Sequence, residues 1–336
     1  MIIHKDEQDT KRNDYWWRIR RFDLYLNLCS IDSGLALARS LKSSSITVKI
    51  FERDAAQTSR SQGFQLGLNG DGIRVLKAVN MPHLDEVLTK NSQHSFVVLD
   101  SKCKELMTVG GKPKNGKQDM AIVNRWRLRE FLSQDLDIDW NKKFVRYEEF
   151  PDKVVAHFED GTTYSADLLI GADGASSKVR AQRCPSLTYD YINVINIAGL
   201  FPLVDSHLKN LRRYFADSLC RIMAPNGYSM LFLPFKGEDN GDYLVWSFSY
   251  ACPSSEPVPT DPEQLKPYLL NIANTLQVPE ITEAIESTPL DMFLEPRHMR
   301  SINTSDSDPF KGTNRVTLIG DAAHAMTTHR GIGKKT

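Results

Sequence analysis

The sequence has no apolar run near the ~18 residues that a membrane-spanning helix needs, so it predicts no transmembrane segment. Residues Met1 to Arg21 are polar and charged, and they lack the apolar core of a secretory signal. We expect this N-terminal stretch to be a frayed tail or a surface helix. Together, these absences favour a cytoplasmic location.

Cysteine is scarce, and neither sign of charge is in excess. The five cysteines are scattered and include no CxxC pair, which fits reduced thiols better than a disulfide framework or a zinc site. Lysine plus arginine and aspartate plus glutamate each total 42. The scattered cysteines give no reason to expect a metal site. The balanced charge provides no overall electrostatic attraction for nucleic acid or an acidic membrane surface, so we also expect no nucleic-acid partner.

Hydrophobic periodicity is clear after this first stretch. Phe22 to Leu28 alternates as a strand, Leu35 to Leu41 carries the apolar side of a helix, and Ile46 to Phe51 alternates again. A strand, a helix and a second strand in this order form a βαβ unit. The pattern therefore predicts an α/β fold with a parallel sheet.

The turn of this βαβ unit carries only part of a dinucleotide-binding pattern. Its GxGxxG positions run from Cys29 to Gly34 and keep only the third glycine. Ile31 stands where a glycine lets the backbone approach a pyrophosphate, and the Asp32 carboxylate would repel that group. Glu52 follows the second strand, where such folds place the acid that binds the adenosine ribose.

A second glycine-rich turn follows a predicted hairpin whose Asp-Gly pair supplies the turn. Residues Asp167 to Arg180 read DLLIGADGASSKVR, a buried strand, a turn containing Gly171 and Gly174, and a helix beginning near Ser177. A purely structural turn could use the same Gly-Ala-Asp-Gly tetrapeptide. The full spacing favours a ligand-binding turn instead.

The stretch from Val316 to Gly333 has a similar design. Four apolar or β-branched residues predict a short buried strand, which runs into Gly320 and Asp321. Asp321 would stand at the carboxyl end of that strand, where open α/β sheets bind ligands. A strand with a Gly-Asp turn also occurs in many α/β proteins without this role.

These stretches resemble the motifs of the FAD-dependent monooxygenases of the p-hydroxybenzoate hydroxylase type. Asp167 to Arg180 matches the family motif DxxxGADGxxSxVR at every defined position, and Val316 to Gly333 resembles its second flavin fingerprint. The resemblance spans roughly residues 22 to 336. It implies a Rossmann-like FAD-binding domain with a parallel sheet and an inserted mixed or antiparallel β-sheet substrate domain.

The resemblance also implies a cofactor and a reaction. FAD would lie across the βαβ unit, NADPH or NADH would reduce it, and O2 would be used to hydroxylate or epoxidise an apolar, aromatic or polyketide-like molecule of secondary metabolism. Because the flavin supplies the reactivity, no side chain is assigned as catalytic. The cofactor-binding residues that the resemblance implies are Gly34, Glu52, Arg53, Gly63, Arg125, Asp173, Gly174, Asp321, Gly331 and Gly333.

Two of these residues, Gly63 and Arg125, lie in segments whose local structure the sequence predicts. Gly63 lies in the glycine-spaced segment Ser59 to Asn69, which is also readable as an ordinary polar loop. Arg125 begins a predicted helix and would reach the FAD phosphates, because a guanidinium is always charged and forked. We expect Arg127 and Arg129 of that helix to be solvated charges.

The predicted domain order follows the family: residues 1–21 as a polar tail, 22–185 as the first part of the FAD-binding domain with a β excursion, 186–300 as the substrate domain, and 301–336 as the last part of the FAD-binding domain. Antiparallel strands are predicted within residues 220–250, and a helix from Asp261 to Thr275. Large apolar side chains there could line a pocket or form plain core, namely Phe215, Met223, Met230, Phe232, Trp246, Phe248 and Tyr250.

The departures from the family pattern lie at both ends of the match. The first glycines are absent, Thr328 and Lys335 replace a proline and an asparagine, and the sequence stops at Thr336, where the family has a long helix. This pattern suggests a truncated or degenerate member. The alternative hypothesis is thus a catalytically inactive homologue that binds FAD poorly or not at all.

Overall fold

The computed structural model describes residues 2–5, 30–42, 44–57, 59, 64–79, 81–89, 93–111, 120–237, 241–302 and 315–326. The predicted strand from Phe22 to Leu28 lies outside the described residues, as do Gly63, Gly331 and Gly333.

In the described chain, strand residues outnumber helix residues. In chain order the strands are β1 (Ile2–Lys5), β2 (Ile46–Phe51), β3 (Gln65–Asn69), β4 (Ser95–Leu99), β5 (Glu105–Gly110), β6 (Met120–Asn124), β7 (Ile138–Asp139), β8 (Phe144–Glu149), β9 (Val154–Phe158), β10 (Thr163–Ala166), β11 (Leu168–Gly171), β12 (Tyr189–Pro202), β13 (Ser218–Met223), β14 (Ser229–Lys236), β15 (Asp242–Ala251), β16 (Arg297–Ile302) and β17 (Val316–Leu318).

The helices connect and cover these sheets. In chain order they are α1 (Ser30–Leu41), α2 (Gly70–Ala78), α3 (Leu84–Thr89), α4 (Arg125–Ser133), α5 (Lys178–Arg183), α6 (Pro262–Leu276), α7 (Pro279–Glu286) and α8 (Asp321–His324), with short 3-10 turns at Arg212–Tyr214, Pro225–Gly227 and Leu290–Met292. None of the described helices is both long enough and apolar enough to cross a membrane.

The first sheet has five strands in the order β17-β11-β1-β2-β7. The pairs β11–β17 and β2–β7 are parallel, as the α/β pattern predicts. In contrast, β1 lies between β11 and β2 and is antiparallel to both. The predicted tail or surface helix is therefore wrong for Ile2–Lys5. The β-branched pair Ile2 and Ile3 favours a strand, which pairing with two neighbours then stabilises.

Helix α1 packs closely on this sheet at Gly34. A Cβ built on Gly34 would lie 3.2 Å from the Ala172 Cβ in the loop after β11. A glycine at this position allows close packing between helix and sheet, which is the role of the third fingerprint glycine. On its other side, α1 shares a core with α2 and α4 through Leu35, Leu76 and Leu128.

A second sheet of seven strands has the order β16-β12-β15-β14-β13-β4-β5. The excursion β4–β5 joins it through parallel pairing of β4 with β13, and the other strands pair antiparallel. The strands predicted within residues 220–250 are confirmed. So is the helix after Asp261, whose carboxylate accepts a hydrogen bond from the Glu263 amide at 3.0 Å.

One face of the second sheet is covered by α6 and α7. Trp246, Phe232 and Phe248 are fully buried there, and the Trp246 Nε1 donates to the Thr288 Oγ1 at 2.8 Å. Because strand side chains alternate between faces, the residues next to these point to the opposite face. That opposite face lines the cleft described below.

Two smaller sheets complete the fold. The predicted hairpin is confirmed in the sheet β10-β9-β8, where Gly161 adopts a φ of +79° at the turn. The segment from Gln65 to Asn69, read above as a loop, is strand β3 and pairs antiparallel with β6. Pairing with a distant strand outweighs the weak strand propensity of its glycine.

Candidate functional site

A cleft of about 1060 Å³ lies between the carboxyl ends of the first sheet and the uncovered face of the second sheet. Six of the predicted cofactor-binding residues line it, namely Gly34, Glu52, Arg53, Arg125, Asp173 and Asp321. Gly174 is buried beside Asp173 in the same loop and does not itself line the cleft. The other predicted residues lie outside the described chain.

Glu52 reaches the cleft from the end of β2. Its backbone is held on both sides, because its amide donates to the Asp139 carbonyl at 2.9 Å and its carbonyl accepts from the Lys142 amide at 2.8 Å. The Glu52 Oε1 accepts from the Asp54 amide at 3.1 Å. Only 12% of the Glu52 side chain is exposed. A buried carboxylate of this kind needs polar partners.

Arg129 supplies such a partner, which the sequence pattern did not predict. The side chain is 1% exposed, and its Nη2 lies 3.9 Å from Glu52 Oε2 and 3.8 Å from Asp54 Oδ2. Its guanidinium also lies 5.6 Å from the Trp140 ring centroid. The prediction of a solvated Arg129 is therefore wrong. Its spacing of four from Arg125 was the available signal, since i and i+4 share a helix face.

Arg125 begins α4 directly after β6. The side chain of Asn124 caps this helix by accepting from the Arg127 amide at 3.1 Å, and the Arg125 amide donates to the Phe64 carbonyl at 3.2 Å. These bonds hold Arg125 in the first turn, at the wall of the cleft. Arg127 is partly exposed, as expected.

The loop after β11 is organised by Asp173. Its carboxylate accepts from the Ser177 hydroxyl, from the Lys178 amide at 2.8 Å and from the Val179 amide at 3.2 Å. A carboxylate at a helix N-terminus satisfies free amides and complements the helix dipole. Gly174 has a φ of +80°, a conformation that favours glycine. The predicted helix start at Ser177 is confirmed, with Ser177 as the cap.

Asp321 stands beside this loop because β17 pairs in parallel with β11. Helix α8 begins at Asp321, directly after Gly320, which has a φ of +59°. Burial raises the pKa of Asp321, while His324, Arg125 and Arg180 oppose that rise. The carboxyl group therefore lies in a partly buried region of the cleft, near Arg125 and Arg180.

The second sheet contributes an apolar wall with a few polar groups. Its cleft-lining residues are Asn196, Ala198, Arg221, Leu231, Leu233, Val245 and Ser247. None of the seven large side chains proposed above for a pocket is among them. Six of those seven are buried in the core, and Met223 is 43% exposed.

Arg221 is a second cleft residue that the sequence pattern did not predict. It lies on β13, its Nη1 is 3.4 Å from the Ser229 Oγ, and its guanidinium is 6.0 Å from the Phe96 ring. Burial lowers the pKa of Arg221. Among the described residues it forms no ion pair, so this cation faces the cleft without a protein carboxylate. Strand alternation could place it on one of two faces, and only packing determines which.

The described residues contain no group of three or more His, Cys, Asp or Glu side chains that could hold a metal ion. The side chains that line the cleft are instead four arginines, three lysines, four carboxylates and an apolar wall. This donor set suits an elongated molecule with a diphosphate, a sugar and a flat ring system.

The comparisons with known proteins agree with this geometry. The profile of a family described as "FAD binding domain" matches residues 32–336. The chain is 28% identical over 322 residues to the FAD-dependent monooxygenase thnD of Trichoderma harzianum, covering 89% of this chain and 76% of that protein. It is 29% identical over 328 residues to the FAD-dependent monooxygenase dbaB of Emericella nidulans, covering 89% and 79%.

A solved structure has the same fold. Klebsiella pneumoniae HpxO, crystallised with FAD and uric acid, superposes with a TM-score of 0.70 at 20% identity. The similarity covers 89% of this chain and 73% of that one. The Rossmann-like α/β fold with an additional sheet, expected from the motifs, is confirmed.

Proposed function

The chain belongs to the FAD-binding-domain family and is similar to FAD-dependent monooxygenases, and we propose that it uses NADPH or NADH and O2 to hydroxylate or epoxidise an apolar small molecule. The observation that carries this proposal is the convergence of Glu52, Arg125, Asp173 and Asp321 on one cleft, although these residues are far apart in the sequence.

The side chains that line the cleft match the chemical groups of FAD. Arg53 and Arg125 are suited to the diphosphate, because guanidinium groups bind phosphate through paired, charge-assisted hydrogen bonds. Glu52 is suited to the hydroxyls of the adenosine ribose. Asp321 would accept hydrogen bonds from the ribityl hydroxyls. The cleft volume of about 1060 Å³ lies slightly above the ~300–1,000 Å³ typical of small-molecule sites, as expected for a large cofactor together with a substrate.

Asp173 has a different role in this proposal. Three hydrogen bonds from the start of α5 hold its carboxylate, so it shapes the loop beside the cofactor more than it binds the cofactor directly. Bound FAD would supply the electron transfer and the oxygen chemistry, which no side chain provides. The protein therefore binds, orients and excludes water.

The second sheet supports an apolar substrate. Leu231, Leu233 and Val245 present hydrocarbon to the cleft, and Asn196 and Ser247 provide polar contacts. Binding sites of this type are mainly apolar with a few polar groups that fix orientation. An aromatic or polyketide-like ring system suits this wall. The flat ring would lie between the sheet and the flavin.

The test is a titration of the purified chain with FAD, followed by absorbance and flavin fluorescence. We expect saturable binding, and oxidation of NADPH or NADH by the loaded protein. Arg125→Met should weaken FAD binding by about tenfold or more, since a charged hydrogen bond contributes ~1.5–3 kcal/mol. Arg127→Met is the matched control, because Arg127 lies on the same helix outside the cleft.

Three results would contradict the proposal. Protein that remains colourless with excess FAD would favour the alternative of a homologue that does not bind the cofactor. Equal losses for Arg125→Met and Arg127→Met would show that the cleft is not where FAD binds. Binding without NADPH or NADH oxidation would leave a flavoprotein of another activity.

A further inference from the structure

We propose that Arg129 is a positioning residue that holds the Glu52 carboxylate against the adenosine ribose of the cofactor. The inference rests on the proposed function, because it assumes that FAD occupies the cleft. Arg129 does not itself line the cleft. Its effect on the cofactor would pass through Glu52.

The position of Arg129 follows from the helix that carries it. Arg125 and Arg129 are four residues apart on α4 and therefore lie on the same side of that helix. Arg125 reaches the wall of the cleft. One turn further along, Arg129 is buried behind the strand end that carries Glu52.

Arg129 is fixed by contacts that do not depend on any ligand. Its Nη1 lies 3.5 Å from the Gln57 carbonyl oxygen, and its guanidinium lies 5.6 Å from the Trp140 ring centroid. A guanidinium is planar and stacks on aromatic rings while keeping its charge. Contacts within the protein alone thus define the position of this cation.

The two carboxylates beside it require such a cation. Glu52 and Asp54 are separated by one residue, and both lie within 3.9 Å of the Arg129 Nη2. These distances are those of ion pairs rather than of close hydrogen bonds. In a buried site, two like charges without a cation would repel each other and would favour protonation or rearrangement.

The backbone of Glu52 is held independently of Arg129. It bonds with Asp139 and Lys142, so the strand end stays in place when the guanidinium is removed. Loss of Arg129 should therefore free the Glu52 side chain more than the fold around it. This makes a cofactor-specific effect separable from general damage.

The experiment compares FAD with an FAD analogue whose adenosine ribose lacks its 2′ and 3′ hydroxyls. Both ligands carry the same flavin, so the absorbance and fluorescence of the flavin report both dissociation constants. The ratio of the two constants measures the ribose contact alone. We expect the wild-type chain to bind FAD about tenfold more tightly than the analogue.

Arg129→Met should bring this ratio close to one although Glu52 is present, and Arg129→Lys should retain part of it. Glu52→Gln shows how far this ratio falls when the carboxylate itself is removed. Arg127→Met is the matched control on the same helix and should keep the wild-type ratio. General misfolding would weaken both ligands equally and leave the ratio unchanged.

The outcomes separate the two proposals. A wild-type ratio in a ligand-binding Arg129→Met chain would overturn the positioning role. A ratio near one in the wild type, with FAD still bound, would overturn the role of Glu52 and Arg129 while the proposed function stands. Failure of the wild-type chain to bind either ligand would overturn both.

Discussion

The guanidinium of Arg180 donates from Nη1 to the carbonyl oxygen of Asp321 at 3.2 Å. The same atom donates to the Ala322 carbonyl at 2.9 Å, and Nη2 donates to the Ala175 carbonyl and to the Tyr189 hydroxyl. Arg180 thus ties the loop after β11 to the first turn of α8. The two cleft-forming segments are held together by one buried cation.

We expect Arg180→Met to destabilise the fold by about 3 kcal/mol or more, because hydrogen bonds to charged groups contribute ~1.5–3 kcal/mol and three carbonyls would lose their donor. Thermal and urea unfolding would measure the change. Arg180→Lys should recover part of the loss. Lys178→Met, an exposed residue of the same helix, is the control and should be near neutral. A stable Arg180→Met chain would contradict the role given to Arg180.

Gly171, at the end of β11, packs so closely against Leu318 and Val179 that a larger side chain does not fit. An added Cβ would lie 2.7 Å from the Leu318 Cδ2 and 2.8 Å from the Val179 Cβ. Gly171→Ala should therefore cost about 1–3 kcal/mol in unfolding free energy through overpacking. Gly67→Ala is a matched control, because no heavy atom lies within 4 Å of its built Cβ. Equal effects of the two substitutions in urea unfolding would refute this packing argument.

Asp321 should make stability depend on pH. Burial raises its pKa above the ordinary value of 3.8. Below that ordinary value the carboxyl is protonated in both the folded and the unfolded chain. As the pH rises through the folded-state pKa, the folded chain loses stability, because it must ionise a buried group that the unfolded chain ionises more easily.

Asp321→Asn removes this titration. The unfolding free energy of the variant minus that of the wild type should become more positive as the pH rises from about 4 toward 8, because only the wild type loses stability through this titration. Urea unfolding without added FAD, at several pH values, measures the difference. Asp190→Asn, at an exposed position of β12, serves as the control. A difference that is constant across this range would show that burial does not govern the pKa of Asp321.

Replacement of Arg221 should not destabilise the fold, in contrast to replacement of Arg180. Its cation is buried against the cleft without an ion pair among the described residues, and burial lowers its pKa. Removing a poorly paired buried charge is often neutral or stabilising. Arg221→Met should therefore unfold at the wild-type temperature or above it. A large loss of stability in thermal unfolding would mean that Arg221 is a structural residue.

Much of the fold was predictable because its signals are local. The continuous apolar run from Leu168 to Gly171, the capped helix after Asp261 and the Asp-Gly hairpin are each predicted from neighbouring residues alone. The same holds for the Asp173 turn, whose spacing carries both its glycine and its helix cap. Local geometry and hydrogen bonding determine these features before any long-range contact forms.

Three features depended on contacts between distant parts of the chain. Alternation shows that Leu231 and Leu233 share a face, but only packing of α6 and α7 on the other face turns them to the cleft. Arg129 resembles a surface charge until β2 places Glu52 and Asp54 beside it. Ile2–Lys5 becomes a strand through pairing with β2 and β11. A sequence pattern specifies which residues lie together on one element, whereas burial and charge pairing depend on what that element meets.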